Sequence, residues 1–131
     1  MAAIRDGDCT FCAAMTNGRG QRTEQGLVAV IADAHPVTEG HHLIVPARHV
    51  ADFFEMTALE VREAYAALHD LRGRLRAADP EIAGFNVGTN SGIAAGQTVF
   101  HAHIHLIPRR VGDTPDPRGG VRGVVPARSG P

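Results

Sequence analysis

The chain of 131 residues has no tryptophan, no lysine and no excess of charge of either sign. Its 13 basic and 14 acidic residues argue against a protein that binds nucleic acid or membranes through general electrostatics. No apolar run approaches the roughly 18 residues that a membrane span needs, and the first residues, MAAIRDGD, lack the apolar segment of a secretory signal. We therefore expect a cytoplasmic protein with no nucleic-acid or membrane partner.

The chain also has only two cysteines, Cys9 and Cys12, which form a C-x-x-C pair. In a reducing compartment this spacing indicates a metal site or a redox pair more than a structural disulfide. Histidine, in contrast, is abundant, with eight residues. Five of the eight lie in two short segments, and this clustering is the main indication of chemistry.

Hydrophobic periodicity predicts four strands and one long helix. The helix begins at Thr57, where Thr57 and Glu60 have the spacing of a capping box, and ends near Asp79. Residues 16–26 are Gly-rich and predict a loop, and the Pro- and Gly-rich tail predicts an extended arm that could contain a short edge strand at 119–125. Strands that flank one helix indicate an α+β protein with an antiparallel sheet. The four strands are expected at 27–32, 42–45, 84–89 and 98–107.

The segment from Thr98 to Pro108, TVFHAHIHLIP, carries the strongest functional signal. Side chains alternate faces along a strand, so three histidines share one face: His101, His103 and His105. A solvated face that merely happens to carry histidine is the plain alternative, and a three-histidine metal site is another. Alternate residues on one strand converge poorly on a tetrahedral ion, which favours a nucleophile with two flanking groups.

This H-x-H-x-H pattern, preceded by Gln97-Thr98-Val99-Phe100, resembles the signature of the histidine triad (HIT) family. The likeness covers roughly residues 8–126 and also includes Phe11, the turns at 33–36 and 40–46, residues 48–49, Asn90 and 116–122. The resemblance implies an α+β HIT-like fold, in which an antiparallel sheet of about five strands packs with one long helix and a short N-terminal helix. It further implies a single domain over 1–131, with a core at about 8–110 and an arm at 111–131.

The resemblance assigns His103 as a nucleophile that attacks the α-phosphorus of a nucleotide and forms a nucleotidyl-histidine. The overall reaction would then proceed in two displacements instead of one. His101 and His105 would bind the phosphoryl oxygens, and His41 would orient or buffer His103. Three further residues match donors to the same phosphate: Asn90, Gln97 and Thr98.

The nucleotide itself would be held by three other residues that match the family. Asp33 matches an acid that accepts both ribose hydroxyls, although an aspartate here also suits a turn. Phe11 and Ile31 match positions that line the base pocket, and as apolar residues they equally suit the core. The ligand implied is a purine nucleotide of the AMP or GMP type.

Relatives with a C-x-x-C at this place hold zinc with two cysteines and two histidines, so the resemblance implies a structural zinc ion at Cys9, Cys12, His49 and His101. Four protein ligands leave no open position, as in structural sites. A redox pair is the alternative, but no thioredoxin-like pattern accompanies the cysteines.

The full triad favours the hydrolase branches, because the uridylyltransferase branch has glutamine where this chain has His105. Those branches cleave nucleoside phosphoramidates, dinucleoside polyphosphates or adenylyl conjugates, and the residues assigned above do not distinguish the leaving group. Two other classes stay open: a nucleotide-binding regulatory protein whose hydrolysis is incidental, and a metal-storage or redox module. The module would leave Asp33 and the phosphate donors without a purpose.

The resemblance finally implies a homodimer that pairs through the long helix and a sheet edge, the commonest kind of closed oligomer. The arm could then reach the partner's active site and bring Arg118 or Arg122 near phosphate. Some relatives close the site with a C-terminal tryptophan. This chain has Gly123 where they carry a bulky residue, which argues against a lid of that kind.

Overall fold

The computed structural model describes residues 9–126, so the sequence expectations for 1–8 and 127–131 lie outside it. Within that range two α-helices and five strands follow in the order α1 (Thr10–Thr16), β1 (Gly20–Arg22), β2 (Val28–Ala32), β3 (His42–Pro46), α2 (Ala58–Ala78), β4 (Ile82–Gly88) and β5 (Ile104–Arg110). Short 3-10 helices lie at Phe53–Glu55, Ile93–Ala95 and Gly120–Val124. In the described part of the chain, no helix is long and apolar enough to cross a membrane.

The five strands form one antiparallel sheet in the order β1-β2-β3-β5-β4. The predicted α+β fold with about five strands, one long helix and a short N-terminal helix is confirmed. β4 and β5 are seven residues long each and form six residue pairs, with a register shift between Ile82 and Gly84. This topology brings β3 and β5, which carry or adjoin most of the predicted site, to the middle of the sheet.

Each face of the sheet is covered by one helix. Buried residues of α2 pack with Ile44, Ile104 and Leu106 on one face. Phe11 and Ala14 of α1 pack on the other face with the alternate residues of β2 and β3, a cluster that also holds Cys9. Successive side chains of a strand point to opposite faces of the sheet, and each face is covered by a helix. The central strands are therefore buried on both sides and form a rigid support for the candidate site.

The α2 helix begins as its sequence predicts. The Thr57 hydroxyl accepts from the Glu60 amide at 3.1 Å, and the Glu60 carboxylate accepts from the Thr57 amide at 2.8 Å. This reciprocal capping box satisfies two amides that a helix start otherwise leaves unpaired. Glu60 is buried and also receives two hydrogen bonds from Arg48, so the same carboxylate ties the helix start to the segment after β3.

The prediction of a strand over 98–107 is wrong in its first half. The Ala102 amide donates to the Val50 carbonyl at 2.8 Å instead of to a sheet neighbour, and the strand starts at Ile104. It then continues through Pro108 and ends at Arg110, three residues beyond the predicted end at 107. The Pro108 carbonyl accepts from the Thr38 hydroxyl at 2.7 Å, on the side away from β4. The N–H that proline lacks would point to that same side, so no hydrogen bond to β4 is lost at Pro108.

Two other expectations for loops and arm are wrong. The predicted loop at 16–26 contains β1, which pairs with β2. The possible edge strand at 119–125 is instead a 3-10 helix at Gly120–Val124. The φ angles of Gly119 and Gly120, 90° and 48°, lie in the left-handed region that glycine tolerates. They turn the arm back onto its own chain, where Gly120 approaches Asn86.

Candidate active site

The three histidines of the triad diverge toward different surroundings. His101 is fully buried and lies beside the two cysteines, and His103 is 7% exposed in the centre. His105, the second residue of β5, faces His41. The ring centroids of His103 and His105 are 5.1 Å apart. Because His101 and His103 precede the regular strand, the first two rings need not keep the spacing that strand alternation predicts.

The hydrogen bonds of His103 determine which ring nitrogen can act as a nucleophile. Its Nδ1 lies 2.8 Å from the His101 carbonyl, which can only accept, so Nδ1 carries the proton. In a neutral ring the other nitrogen, Nε2, then has an unshared electron pair. The Thr89 hydroxyl donates to the His103 carbonyl at 2.7 Å, and the Phe11 ring packs edge-on at 5.0 Å. The ring is thus oriented by its own backbone and by a neighbouring aromatic side chain.

His41 and His105 form a second, ordered pair. The Val37 amide donates to His41 Nδ1 at 3.1 Å, so the neutral His41 ring carries its proton on Nε2. That Nε2 lies 2.9 Å from His105 Nδ1 and 3.3 Å from Asp33 Oδ2. His105 Nδ1 therefore accepts, and its Nε2–H is left as a donor.

The environment keeps both of these imidazoles neutral. Burial lowers the pKa of His41, against the opposing charge of Asp33. Burial also lowers the pKa of His105 to about 4, with further contributions from His103 and His41. Near neutral pH the pair is an uncharged relay in which each proton has a defined place.

Of the predicted nucleotide-binding residues, Asp33 lies beside this relay. Asp33 follows β2; one carboxylate oxygen accepts from the His35 amide at 2.8 Å, and the other faces His41. Asp33 therefore stabilises the turn after β2 through one carboxylate oxygen and faces the candidate site with the other. Phe11 and Ile31 are both buried in the α1-side core.

The loop between β4 and β5 is organised by Gln97, which is 5% exposed. Its amide nitrogen donates to the carbonyls of Ala51 and Val99 at 2.6 and 3.0 Å, and its oxygen accepts from the Gly92 amide at 2.8 Å. Both N–H bonds are therefore used within the chain, and the direct phosphate donation that we expected of Gln97 is not open to it in this structure. Thr98 is exposed, and Asn90 lines the adjoining cleft.

Four side chains at the start of α1 could hold a metal ion: Cys9, Cys12, His49 and His101. Their Sγ and Nδ1 atoms all lie within 4.8 Å, and three S···N distances are 3.3, 3.3 and 3.5 Å. Tetrahedral zinc, with bonds of about 2.3 Å to sulfur and 2.0–2.1 Å to nitrogen, places these ligands about 3.6 Å apart. The residues present thus fit zinc in both type and spacing.

His101 is oriented for such a metal by a distant carbonyl. Its Nε2 donates to the Pro46 carbonyl at 2.7 Å, which leaves the electron pair of Nδ1 directed at the thiols, as for a metal-bound histidine. Both ring nitrogens are therefore engaged, so a contact from His101 to phosphate, which the resemblance implied, is not open to it.

A second group of potential ligands, Asp33, His41 and His105, also lies within 4.8 Å. Here the hydrogen bonds oppose a metal. A metal on His41 Nε2 would move the ring proton to Nδ1, where it would meet the Val37 N–H at 3.1 Å. Two donors would then face each other, so this group fits a proton relay and not a cation site.

Sequence analysis missed several groups of the site. Four such groups form hydrogen bonds to the triad or its relay: the carbonyls of Pro46 and His101, the amide of Val37 and the hydroxyl of Thr89. The first three belong to the backbone, which every residue shares, so no residue type signals them. Thr89 is a side-chain contact, but a threonine at the end of a strand is too common to indicate it.

The protein is an α+β protein in which a histidine-rich segment leads into β5, next to the central strand β3 of an antiparallel sheet. The model for the HIT domain matches residues 22–112. An uncharacterised HIT-like protein of Mycobacterium tuberculosis is 35% identical over 107 residues, which cover 80% of this chain and 74% of that protein. The chain therefore belongs to the HIT family.

Two other comparisons bear on structure and activity. A crystal structure of a HIT family protein from Bacillus anthracis superposes with a TM-score of 0.72 at 31% identity, over 81% of this chain and 76% of that one. Adenylylsulfatase HINT3 of Arabidopsis thaliana is 34% identical over 111 residues, or 81% of this chain but only 54% of that protein. The family thus includes a hydrolase of an adenylyl compound.

Proposed function

We propose that the protein is a hydrolase that binds a purine nucleotide and cleaves it at the α-phosphorus through a nucleotidyl-histidine on His103. The observation that carries this proposal is the hydrogen bond from His103 Nδ1 to the His101 carbonyl at 2.8 Å. In the neutral ring it leaves an unshared electron pair on Nε2 of a buried, oriented side chain, which is what a nucleophilic imidazole requires.

In the first step, His103 Nε2 bonds to the α-phosphorus while the bond to the leaving group breaks, and the leaving group departs with a proton from solvent. His105, neutral and with its Nε2–H free to donate, stabilises the charge on the phosphoryl oxygens. In the second step, water bonds to phosphorus, the P–N bond breaks, and the water's proton leaves to solvent. The products are the nucleoside monophosphate and the original imidazole.

His41 is a positioning residue in this scheme. Its Nε2–H bonds to His105 Nδ1 at 2.9 Å and thereby makes the other nitrogen of His105 the donor. Asn90 and Thr98 supply neutral donors to the same phosphate, and Gln97 holds the loop from which Asn90 projects. Asp33 accepts from the ribose hydroxyls, and Phe11 and Ile31 border the base.

The cluster of Cys9, Cys12, His49 and His101 would hold structural zinc. Zinc would supply charge neutralisation for two thiolates and would tie α1 to the segment that carries His103. Two observations support this assignment. His101 Nε2–H donates to the Pro46 carbonyl, and the sulfur-to-nitrogen distances suit zinc ligands.

We also propose a homodimer. β4 is an edge strand, and Val87 on it and Tyr65 on α2 are 56% and 64% exposed. An edge with apolar neighbours is a typical site of strand pairing between two copies. The cytoplasmic location stays a prediction from the sequence.

The test of function is incubation with an adenosine phosphoramidate, with release of AMP measured. A regulatory nucleotide-binding protein would bind AMP. It would form AMP from the phosphoramidate no faster than the His103→Ala variant does. Wild-type turnover that this variant lacks would support the enzyme and exclude incidental binding.

A further inference from the structure

The segment at 50–52, which lies between β3 and the first 3-10 helix, contacts both the histidine segment and the loop between β4 and β5. The Val50 carbonyl accepts from the Ala102 amide at 2.8 Å, and Ala102 lies between the first two histidines of the triad. The Ala51 carbonyl accepts from the Gln97 side chain at 2.6 Å, at the far end of the loop. Residues 50–52 therefore hold the loop and the histidine segment in one arrangement.

Asp52 adds a side-chain contact at the start of the same loop. Its Oδ2 accepts from the Ser91 hydroxyl at 2.6 Å, a length typical of a hydroxyl that donates to a carboxylate. Its Oδ1 accepts from the Phe54 amide at 3.0 Å, so the carboxylate is itself fixed at the start of the 3-10 helix. A hydroxyl has one proton, and that of Ser91 is already donated to Asp52. Ser91 is therefore anchored and is not itself a donor to a ligand.

The residue before Ser91 is Asn90, the proposed donor to the phosphate. Asn90 lines the cleft beside the triad together with His105. Within residues 9–126 its side-chain amide has no hydrogen-bond partner, so it is available to a ligand and nothing holds it directly. Its position depends on the backbone, which next passes through Gly92 at a φ of 94°, and glycine is the residue type with the most conformational freedom. The anchor on Ser91 is thus the contact that limits movement of Asn90.

We propose that Asp52 and Ser91 are positioning residues for the reaction, and that their hydrogen bond fixes Asn90 where it donates to the phosphoryl oxygen during attack by His103. The proposal rests on the proposed function and deepens it, because it assigns a role to two residues that do not touch the substrate. A donor stabilises developing charge only when it is held in place beforehand. Misplacement of such a group by about 1 Å can lower a rate by about 100-fold.

The experiment measures kcat and KM for release of AMP from an adenosine phosphoramidate in a double-mutant cycle of Ser91→Ala and Asn90→Ala. Ser91→Ala alone should lower kcat by about tenfold, because Asn90 is then poorly placed. It should change KM by less than about twofold, since the lost interaction acts in the transition state. In the Asn90→Ala background Ser91→Ala should lower kcat no further, because the group through which it acts is gone. Ser91→Thr keeps the hydroxyl and should restore most of kcat.

Thr16→Ala is the matched control, since it removes an exposed hydroxyl that donates to the Ala13 carbonyl at 3.0 Å at the end of α1. It should change neither kcat nor KM. An unchanged kcat in Ser91→Ala, or an equal loss of kcat with and without Asn90, would show at most a structural role and overturn the inference alone. Absence of AMP release by the wild type would overturn the proposed function and the inference with it.

Discussion

Acidification should destabilise the protein through His105, because folding keeps this imidazole neutral. Its pKa is about 4 in the folded chain, against 6.5 for the free side chain. The folded pKa is the lower one, so between these values the unfolded chain binds more protons. Stability is then fully present above pH 6.5 and is lost as pH falls toward 4.

The size of this effect follows from the two pKa values. At about 1.4 kcal/mol per pKa unit, a shift of this size corresponds to a loss of about 2.5 kcal/mol between pH 7 and pH 4.5. His105 is only partly buried, and solvent screening reduces the expected loss to about 1 kcal/mol.

Urea unfolding at pH 7 and pH 4.5 measures this loss in wild type and in His105→Asn. The variant lacks the imidazole, so its own loss on acidification should be smaller than that of wild type by about 1 kcal/mol. His69→Asn removes an exposed histidine of α2 and should behave as wild type does. Equal losses in all three proteins, or a larger loss in His105→Asn, would refute the neutral relay of His41 and His105.

The other predictions concern the nucleophile, the metal and the assembly. His103→Ala should abolish turnover while AMP still binds, as calorimetry and an AMP-release assay can show; activity above a few per cent in a preparation free of other hydrolases would contradict the assignment. Elemental analysis should find one zinc per chain, and Cys12→Ser should lower thermal stability more than AMP affinity, because a closed site contributes to folding. Protein without zinc after growth in zinc-rich medium would count against the site. Light scattering should give twice the 13.9 kDa of one chain, and a monomer at micromolar concentration would disprove the dimer.

The sequence alone was sufficient to predict features that depend on residues close together in the chain. The start of α2 was predictable because Thr57 and Glu60 lie in one helical turn, where each satisfies the other's backbone. The H-x-H-x-H and C-x-x-C spacings likewise indicated the residue types of the two candidate sites, because each pattern lies within a few residues of chain.

Only the tertiary structure determined what each of these side chains can do. The proton of His101 is placed by the carbonyl of Pro46, which is 55 residues away, and that of His41 is fixed by the amide of Val37. Gln97 is engaged by Ala51, and the arm turns onto β4. Backbone carbonyls and amides are common to all residues, so no local pattern reveals which of them a distant imidazole will meet. The fold brings them together, and their positions give chemically identical rings different proposed roles: a metal ligand, a nucleophile and a proton relay.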